Sequence, residues 1–211
     1  MKAIIVGGGL PPSKSLIVKE ITKDSVIIAA DGGANCLWQY KITPNYLIGD
    51  FDSIDSKILN LWVNKGVITE RYPAEKDFTD TELALKKAAE LKAKKVVFLG
   101  CLGGFRVDHL LGVIGLLDKT VRLDIKGYLK DEYQTITLLT KSVTISGIAG
   151  AVFSLQAYGG SVKNLTITGS KYQLKDYLLK IGDSLTLSNE FTDKKASIKF
   201  TSGKLLLITF L

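Results

Sequence analysis

Ser25-Val26-Ile27-Ile28-Ala29-Ala30-Asp31-Gly32-Gly33-Ala34-Asn35 is the stretch on which the fold turns. Val26 to Ala30 read as a buried strand, and the Asp-Gly-Gly that stops it leads into a helix-like segment over 33–41. The same texture recurs on either side. Ala3-Ile4-Ile5-Val6, Tyr46-Leu47-Ile48 and Lys95-Val96-Val97-Phe98-Leu99 read as further strands, with helix-like segments at about 13–22, 55–65, 79–93 and 107–117. The helix over 79–93 is the plainest. Thr79-Asp80-Thr81-Glu82 has the spacing of a capping box, and Ala84, Leu85, Ala88 and Leu91 form one apolar face. Strands alternating with helices predict an α/β domain with a parallel, Rossmann-like sheet covered on both faces.

From about Tyr133 the texture changes to short β-rich runs: 135–138, 143–145, 152–155, 165–168, 184–187, 197–200 and 205–210. Turn signals such as Gly159-Gly160, Gly182-Asp183 and Ser202-Gly203 separate them, which predicts an all-β sandwich or barrel. The expected organisation is an α/β domain over residues 1–133 and a β-sandwich domain over 134–211.

The 211 residues are 46% hydrophobic and 23% charged, the balance of an ordinary folded protein rather than a disordered one. No apolar run approaches the roughly 18–20 residues that span a bilayer, and the amino terminus lacks a signal-peptide layout, so a cytoplasmic protein with no membrane partner is expected. Two cysteines without a CxxC, and one histidine, argue against a disulfide framework or a zinc site. Any metal chemistry must use carboxylates and a hard cation. The net charge of +7 is uneven, +2 over residues 1–133 (19 basic, 17 acidic) and +5 over 134–211 (9 basic, 4 acidic). No basic stripe interleaved with aromatics accompanies it, so nucleic acid is not an expected partner.

Gly7-Gly8-Gly9 follows the first strand, yet position 12 is Pro where a dinucleotide fingerprint wants Gly, and position 13 is Ser where a P-loop wants Gly. It reads either as a tight turn or as a loop meeting a nucleotide in another manner. The acids say more. Asp31 follows one strand and Gly49-Asp50-Phe51-Asp52-Ser53 another; Asp77-Phe78-Thr79-Asp80 stands at a helix start, and Arg106-Val107-Asp108-His109 follows the strand ending at Leu99. In a parallel sheet such positions share the carboxyl-terminal rim where ligands bind. Clustered there, the carboxylates would repel one another unless a divalent cation neutralised them, and Mg²⁺ with substrate phosphates suits that donor set. Alternation along a straight strand would aim Asp50 and Asp52 at one ion. Each acid also has a plainer reading, as a turn residue or helix cap: Asp31 at its turn, Asp52 before helix 55–65, Asp77 or Asp80 before helix 79–93. Arg106 would offer a cation to phosphate, while His109 reads first as a capping or core residue.

Six segments taken in order carry a resemblance: Asp31-Gly32-Gly33-Ala34-Asn35, Ile48 to Ile54, Lys76 to Leu85, Gly103-Gly104-Phe105-Arg106-Val107-Asp108-His109, Gly169 to Leu174 and Leu187 to Phe191. Together they resemble the thiamine pyrophosphokinase family. The resemblance implies Mg²⁺-dependent transfer of a pyrophosphoryl group from ATP to thiamine, leaving AMP, by a homodimer with active sites at the subunit interface. It implies catalytic roles for Asp50, Asp52, Asp80, Arg106 and Asp108, with Asp50, Asp52 and Asp80 around the metal. It implies ATP contacts from Asp31, Gly32, Asn35, Asp77 and Thr79, and thiamine contacts from Tyr172, Thr186, Ser188 and Asn189 of the other subunit. Either Asp80 or Asp108 would accept the thiamine proton. Two departures stand out: Phe105 is inserted between the glycines and Arg106, and Val113 replaces an Asn that the family often carries. A different Mg²⁺-dependent nucleotide enzyme, or a non-catalytic thiamine or nucleotide sensor, would carry the same acidic rim.

Overall fold

A computed structural model of the chain describes residues 1–75 and 77–210; Lys76, the first residue of one of the six segments, and Leu211 lie outside the described residues. The chain divides into two compact units, Met1–Glu132 and Tyr133–Leu211. No helix among the described residues is long and apolar enough to cross a membrane.

The first unit runs β1 (Lys2–Val6), α1 (Lys14–Glu20), β2 (Ser25–Ala30), α2 (Gly33–Gln39), β3 (Tyr46–Gly49), α3 (Ser56–Asn64), β4 (Ile68–Arg71), α4 (Asp80–Glu90), β5 (Lys95–Leu99), α5 (Val107–Arg122) and β6 (Lys126–Lys130). Its strands lie in the order β6-β5-β1-β2-β3-β4, every pair parallel. The chain begins mid-sheet, winds outward through β4, then returns to the other side of β1. Between β1 and β5 the loops therefore diverge to opposite faces, which opens a crevice at the carboxyl edge. Alternation along the strands sets the two cores. Ile4, Val6, Ile27, Ala29, Leu47, Val97 and Leu99 pack with Leu16 and Ile17 of α1, Ala34 and Leu37 of α2 and Trp62 of α3. Ala3, Ile5, Ile28, Ile48, Val96 and Phe98 are buried with the opposite parity. On that side α4 packs on β1, β2 and β3, and α5 on β6.

Two strands here go beyond the sequence reading. β4 is an edge strand that leaves most of Ile68-Thr69-Glu70-Arg71 exposed, so it lacks an apolar run. In β6, Gly127 and the lysines at both ends interrupt the apolar signal.

The second unit contains β7 (Gln134–Leu139), β8 (Val143–Ser146), β9 (Val152–Ala157), β10 (Val162–Thr168), β11 (Leu174–Leu179), β12 (Asn189–Glu190), β13 (Lys195–Lys199) and β14 (Leu205–Phe210). Two antiparallel layers, β12-β9-β14-β7 and β11-β10-β13-β8, form it. They share one core, with Phe153, Leu155, Leu205 and Leu207 from the first layer and Ile145, Leu165, Ile167 and Ile198 from the second. This is the expected sandwich. One expected strand is absent: 184–187 is a turn in which the Leu187 N–H donates to the Ser184 carbonyl at 3.0 Å, and Ser188 follows at φ 53°. β11 was hidden instead by its polar Lys175-Asp176; Asp176 sits at φ 49° and the register against β10 shifts twice.

Candidate active site

The crevice between β1 and β5 holds a cleft of about 570 Å³. Its walls are the two glycine-rich loops, Gly7-Gly8-Gly9 after β1 and Gly100 to Arg106 after β5, with Asp31, Gly32, Ser53, Thr79, Asp80 and Thr81 along one side. The loops touch backbone to backbone. Gly9 N–H donates to the Gly100 carbonyl at 2.9 Å, and a Cβ on Gly9 would stand 2.7 Å from that oxygen. The triple glycine is thus both a tight turn and a wall of the cleft.

Three carboxylates converge here. Asp31 follows β2, Asp50 follows β3 and Asp80 opens α4, and one oxygen of each lies within 4.8 Å of the others. Gly49, at φ 151°, makes the approach possible, since a Cβ there would lie 3.0 Å from Asp31 Cβ and 3.2 Å from Asp80 Oδ1. Asp31 itself takes the left-handed conformation at φ 44°, which Asp tolerates better than most residues. Its N–H donates to the Ile48 carbonyl at 2.8 Å, pinning it beside β3. Capping is assigned elsewhere: Gly32 precedes α2, and Thr79 Oγ1 accepts the Glu82 N–H at 3.3 Å to cap α4.

Asp31 is 8% exposed, and its Oδ1 is buried with no hydrogen-bond partner among the described residues. Burial pushes its carboxyl above the usual range, and the charges of Asp80 and Asp52 push the same way. A buried oxygen without a donor, ringed by like charges, fits a cation that satisfies the one and neutralises the other. An all-oxygen donor set suits a hard ion such as Mg²⁺.

Asp52 does not join this group, and the strand alternation expected to bring it there is absent. β3 ends at Gly49 and Phe51 turns the chain at φ 67°. The Asp52 N–H donates to Asp50 Oδ1 at 3.2 Å, its own Oδ1 accepts from Ser53 Oγ at 2.7 Å, and Asp31 takes the third place. The cap of α3 is Asp55, not Asp52. Asn35 lies beside the site as a brace, its Nδ2 donating to the Ser53 carbonyl at 2.9 Å and its Oδ1 accepting the Asp55 N–H at 3.3 Å. Asp77 is exposed outside the cleft lining.

Arg106 lines the cleft, but its guanidinium forks onto Asp108, Nε to Oδ1 at 2.9 Å and Nη2 to Oδ2 at 2.6 Å. That hydrogen-bonded pairing holds the Asp108 carboxyl far below the ordinary carboxylate range. The inserted Phe105 is fully exposed on the cleft wall, after Gly103 and Gly104 at φ 77° and 95°. His109 is exposed in the first turn of α5 and lines the cleft, so it is not a core residue. Ser53 and Thr81 also line it; each adjoins a recognised acid, which was the available signal. Cys101, likewise on the wall, has its thiol pushed up to about 12 by burial and is no nucleophile at neutral pH.

In the β-rich unit the four expected residues divide in two. Tyr172 and Ser188 are exposed. Thr186 and Asn189 are buried, Thr186 donating from Oγ1 to the Leu155 carbonyl at 2.6 Å.

Residues 17–129 match the family "Thiamin pyrophosphokinase, catalytic domain" and residues 137–205 match "Thiamin pyrophosphokinase, vitamin B1 binding domain". The chain is 31% identical to the thiamine pyrophosphokinase of Bacillus subtilis, over 99% of this chain and 98% of that protein. A solved thiamine pyrophosphokinase structure from Bacillus subtilis superposes with a TM-score of 0.90 at 29% identity, covering 100% of this chain and 99% of the other. One from Geobacillus thermodenitrificans gives 0.86 at 29% identity, covering 100% and 98%. The Candida albicans structure, at 16% identity and a TM-score of 0.87 over 100% and 89%, shares the fold.

Proposed function

The chain belongs to the thiamin pyrophosphokinase family, and from that premise we propose how its residues divide the work of moving a pyrophosphoryl group from ATP to the thiamine hydroxyl, with AMP as the other product. The observation that carries the reading is the convergence of Asp31, Asp50 and Asp80 at the edge of the cleft, with Asp31 Oδ1 buried and lacking a donor. Residues 1–133 form the ATP-binding catalytic domain in this reading and residues 134–211 the thiamine-binding domain.

ATP occupies the cleft, its phosphates toward the three carboxylates. Mg²⁺ held by Asp31, Asp50 and Asp80, with Asp52 at the periphery, would draw negative charge off the phosphate oxygens and so leave the β-phosphorus open to attack. The protein's share is then positioning. Gly32, Thr79 and the glycine loops shape the phosphate end, Asn35 braces the loop that carries Asp52, and Asp77 lies outside. Arg106 exchanges Asp108 for a phosphate oxygen, an exchange made easy because exposed ion pairs contribute little. Either Asp108, once that exchange releases it from Arg106, or Asp80 takes the thiamine proton.

Thiamine is a cationic heteroaromatic, and the exposed ring of Tyr172 offers it a π face. Ser188 adds a hydroxyl for the aminopyrimidine, whereas Thr186 is already committed to β9. The reading includes a homodimer in which these groups come from the second subunit, and a cytoplasmic location.

Incubation with ATP, thiamine and Mg²⁺ tests the reaction: equal amounts of AMP and thiamine diphosphate are expected. Release of ADP, or nucleotide turnover indifferent to thiamine, overturns the reading.

A further inference from the structure

Asn189 is 2% exposed, and its amide is fully engaged inside the β-rich unit. Oδ1 accepts the Tyr172 N–H at 3.0 Å and the Glu190 N–H at 2.9 Å. Nδ2 donates to the Tyr172 carbonyl at 2.8 Å and to Ser170 Oγ at 3.3 Å. A primary amide has two donor hydrogens and two acceptor lone pairs, so these contacts exhaust it. They also settle its orientation, because the oxygen faces two N–H groups and the nitrogen faces a carbonyl. The same segment is fastened on both sides of Asn189's grip. Ser170 bridges to Phe191, the Lys171 N–H donates to the Glu190 carbonyl at 2.9 Å, and Lys171 Nζ pairs with Glu190 Oε1 at 2.8 Å. The Tyr172 ring is left outside, 53% exposed, with the Lys171 ammonium 5.5 Å from its centroid.

We propose that Asn189 is a positioning residue that acts on thiamine through Tyr172, and does not itself touch the substrate. The inference rests on the reading of Tyr172 as the aromatic that meets thiamine. To hydrogen-bond an aminopyrimidine, Asn189 would have to give up a buried bond and strand its partner, which is unfavourable. Clamped as it is, it holds both backbone groups of Tyr172. The ring then presents itself with only its side-chain torsions left to order, which lowers the entropic penalty of stacking a ligand on it.

A double-mutant cycle separates this role from direct contact. KM for thiamine and kcat are measured at saturating ATP for Tyr172→Ala, Asn189→Ser and the double variant, each checked for native circular dichroism. Tyr172→Ala is expected to raise KM about tenfold. Asn189→Ser should raise it about threefold with kcat little changed, and the double variant should match Tyr172→Ala alone. Multiplying increases in the double variant, or an unchanged KM in Asn189→Ser, overturn the role of Asn189 while leaving Tyr172 in place. An unchanged KM in Tyr172→Ala overturns the placement of thiamine against that ring, and this role with it, without touching the AMP-forming reaction. If Asn189→Ser does not fold, Ser170→Ala withdraws one support of the clamp and takes its place in the same cycle, with the same outcomes read in the same way.

Discussion

Asp31 shows at the scale of one residue how the site trades stability for charge. It sits in a left-handed conformation, largely buried, facing Asp50 and Asp80, with one oxygen lacking a donor. Because its carboxyl is raised in the fold, the stability linked to it is present below the ordinary aspartate value of 3.8 and is lost as pH rises through the folded value. At pH 7 the charged side chain therefore weakens the metal-free protein. Asp31→Asn should stabilise that form by about 1 kcal/mol, a rise in Tm of roughly 2–4 °C, with the gain shrinking toward pH 3. Mg²⁺ should raise the Tm of the parent chain, and Asp31→Asn should abolish that rise and sharply reduce turnover. Thermal unfolding with and without Mg²⁺ checks both expectations, and an Asn variant that melts earlier would remove the repulsion from the account. The place of Asp31 at the carboxyl rim of the sheet was visible in its sequence setting. Its displacement of Asp52 was not, because that depends on the turn at Phe51.

Among the elements, α4 is the one whose start matters most to the site. Thr79 caps it through the Glu82 N–H, as the capping-box spacing indicated, and Asp80 is its first residue. Thr79→Ala should cost about 1 kcal/mol in urea denaturation. It should also lower turnover beyond what stability explains, because fraying of the first turn moves Asp80; Thr79→Ser should keep both. The central strands and α1 to α5 were legible because they bury continuous apolar runs or periodic faces. β4, β6 and β11 were not, since an edge position, an interrupting Gly127 and a polar Lys175-Asp176 each mask the period. The stretch 184–187 failed the other way. Its composition is that of a strand, yet Thr186 is held at β9 by its side chain and backbone carbonyl while the local chain turns.

For whole-molecule stability and assembly, two further tests apply. Within the first unit, Glu20 is buried and closes the end of α1 onto Lys2 of β1 and Lys130 of β6, the latter pair at 2.7 Å. Burial pushes its carboxyl up, but the hydrogen bonds and charges of Lys130 and Lys2 bring it to a net position below the usual range. For a lowered carboxyl, the stability is present above the ordinary value near 4.5 and is lost as pH falls through the folded value. Glu20→Gln should thus cost about 3 kcal/mol at pH 7, since it leaves two partly buried ammoniums without their partner, and much less near pH 3. Denaturant midpoints at both pH values decide it. In solution, mixing equal amounts of Asp50→Ala and Tyr172→Ala chains at thiamine well below the parent KM tests the shared site: random exchange should raise activity from about a twentieth to about a quarter of the parent's, because half the dimers then carry one intact site of two. No recovery after verified exchange counts against sites built across subunits. The alternation of the central strands with α1 to α5, the change to a β-rich second half and the carboxylate-bearing segments were determined by the sequence itself, because burial period and capping act over a few neighbouring residues. Which carboxylates meet and that Asn189 is spent on Tyr172 were decided only by the tertiary structure, because each depends on turns and on groups brought together from separate segments of the chain.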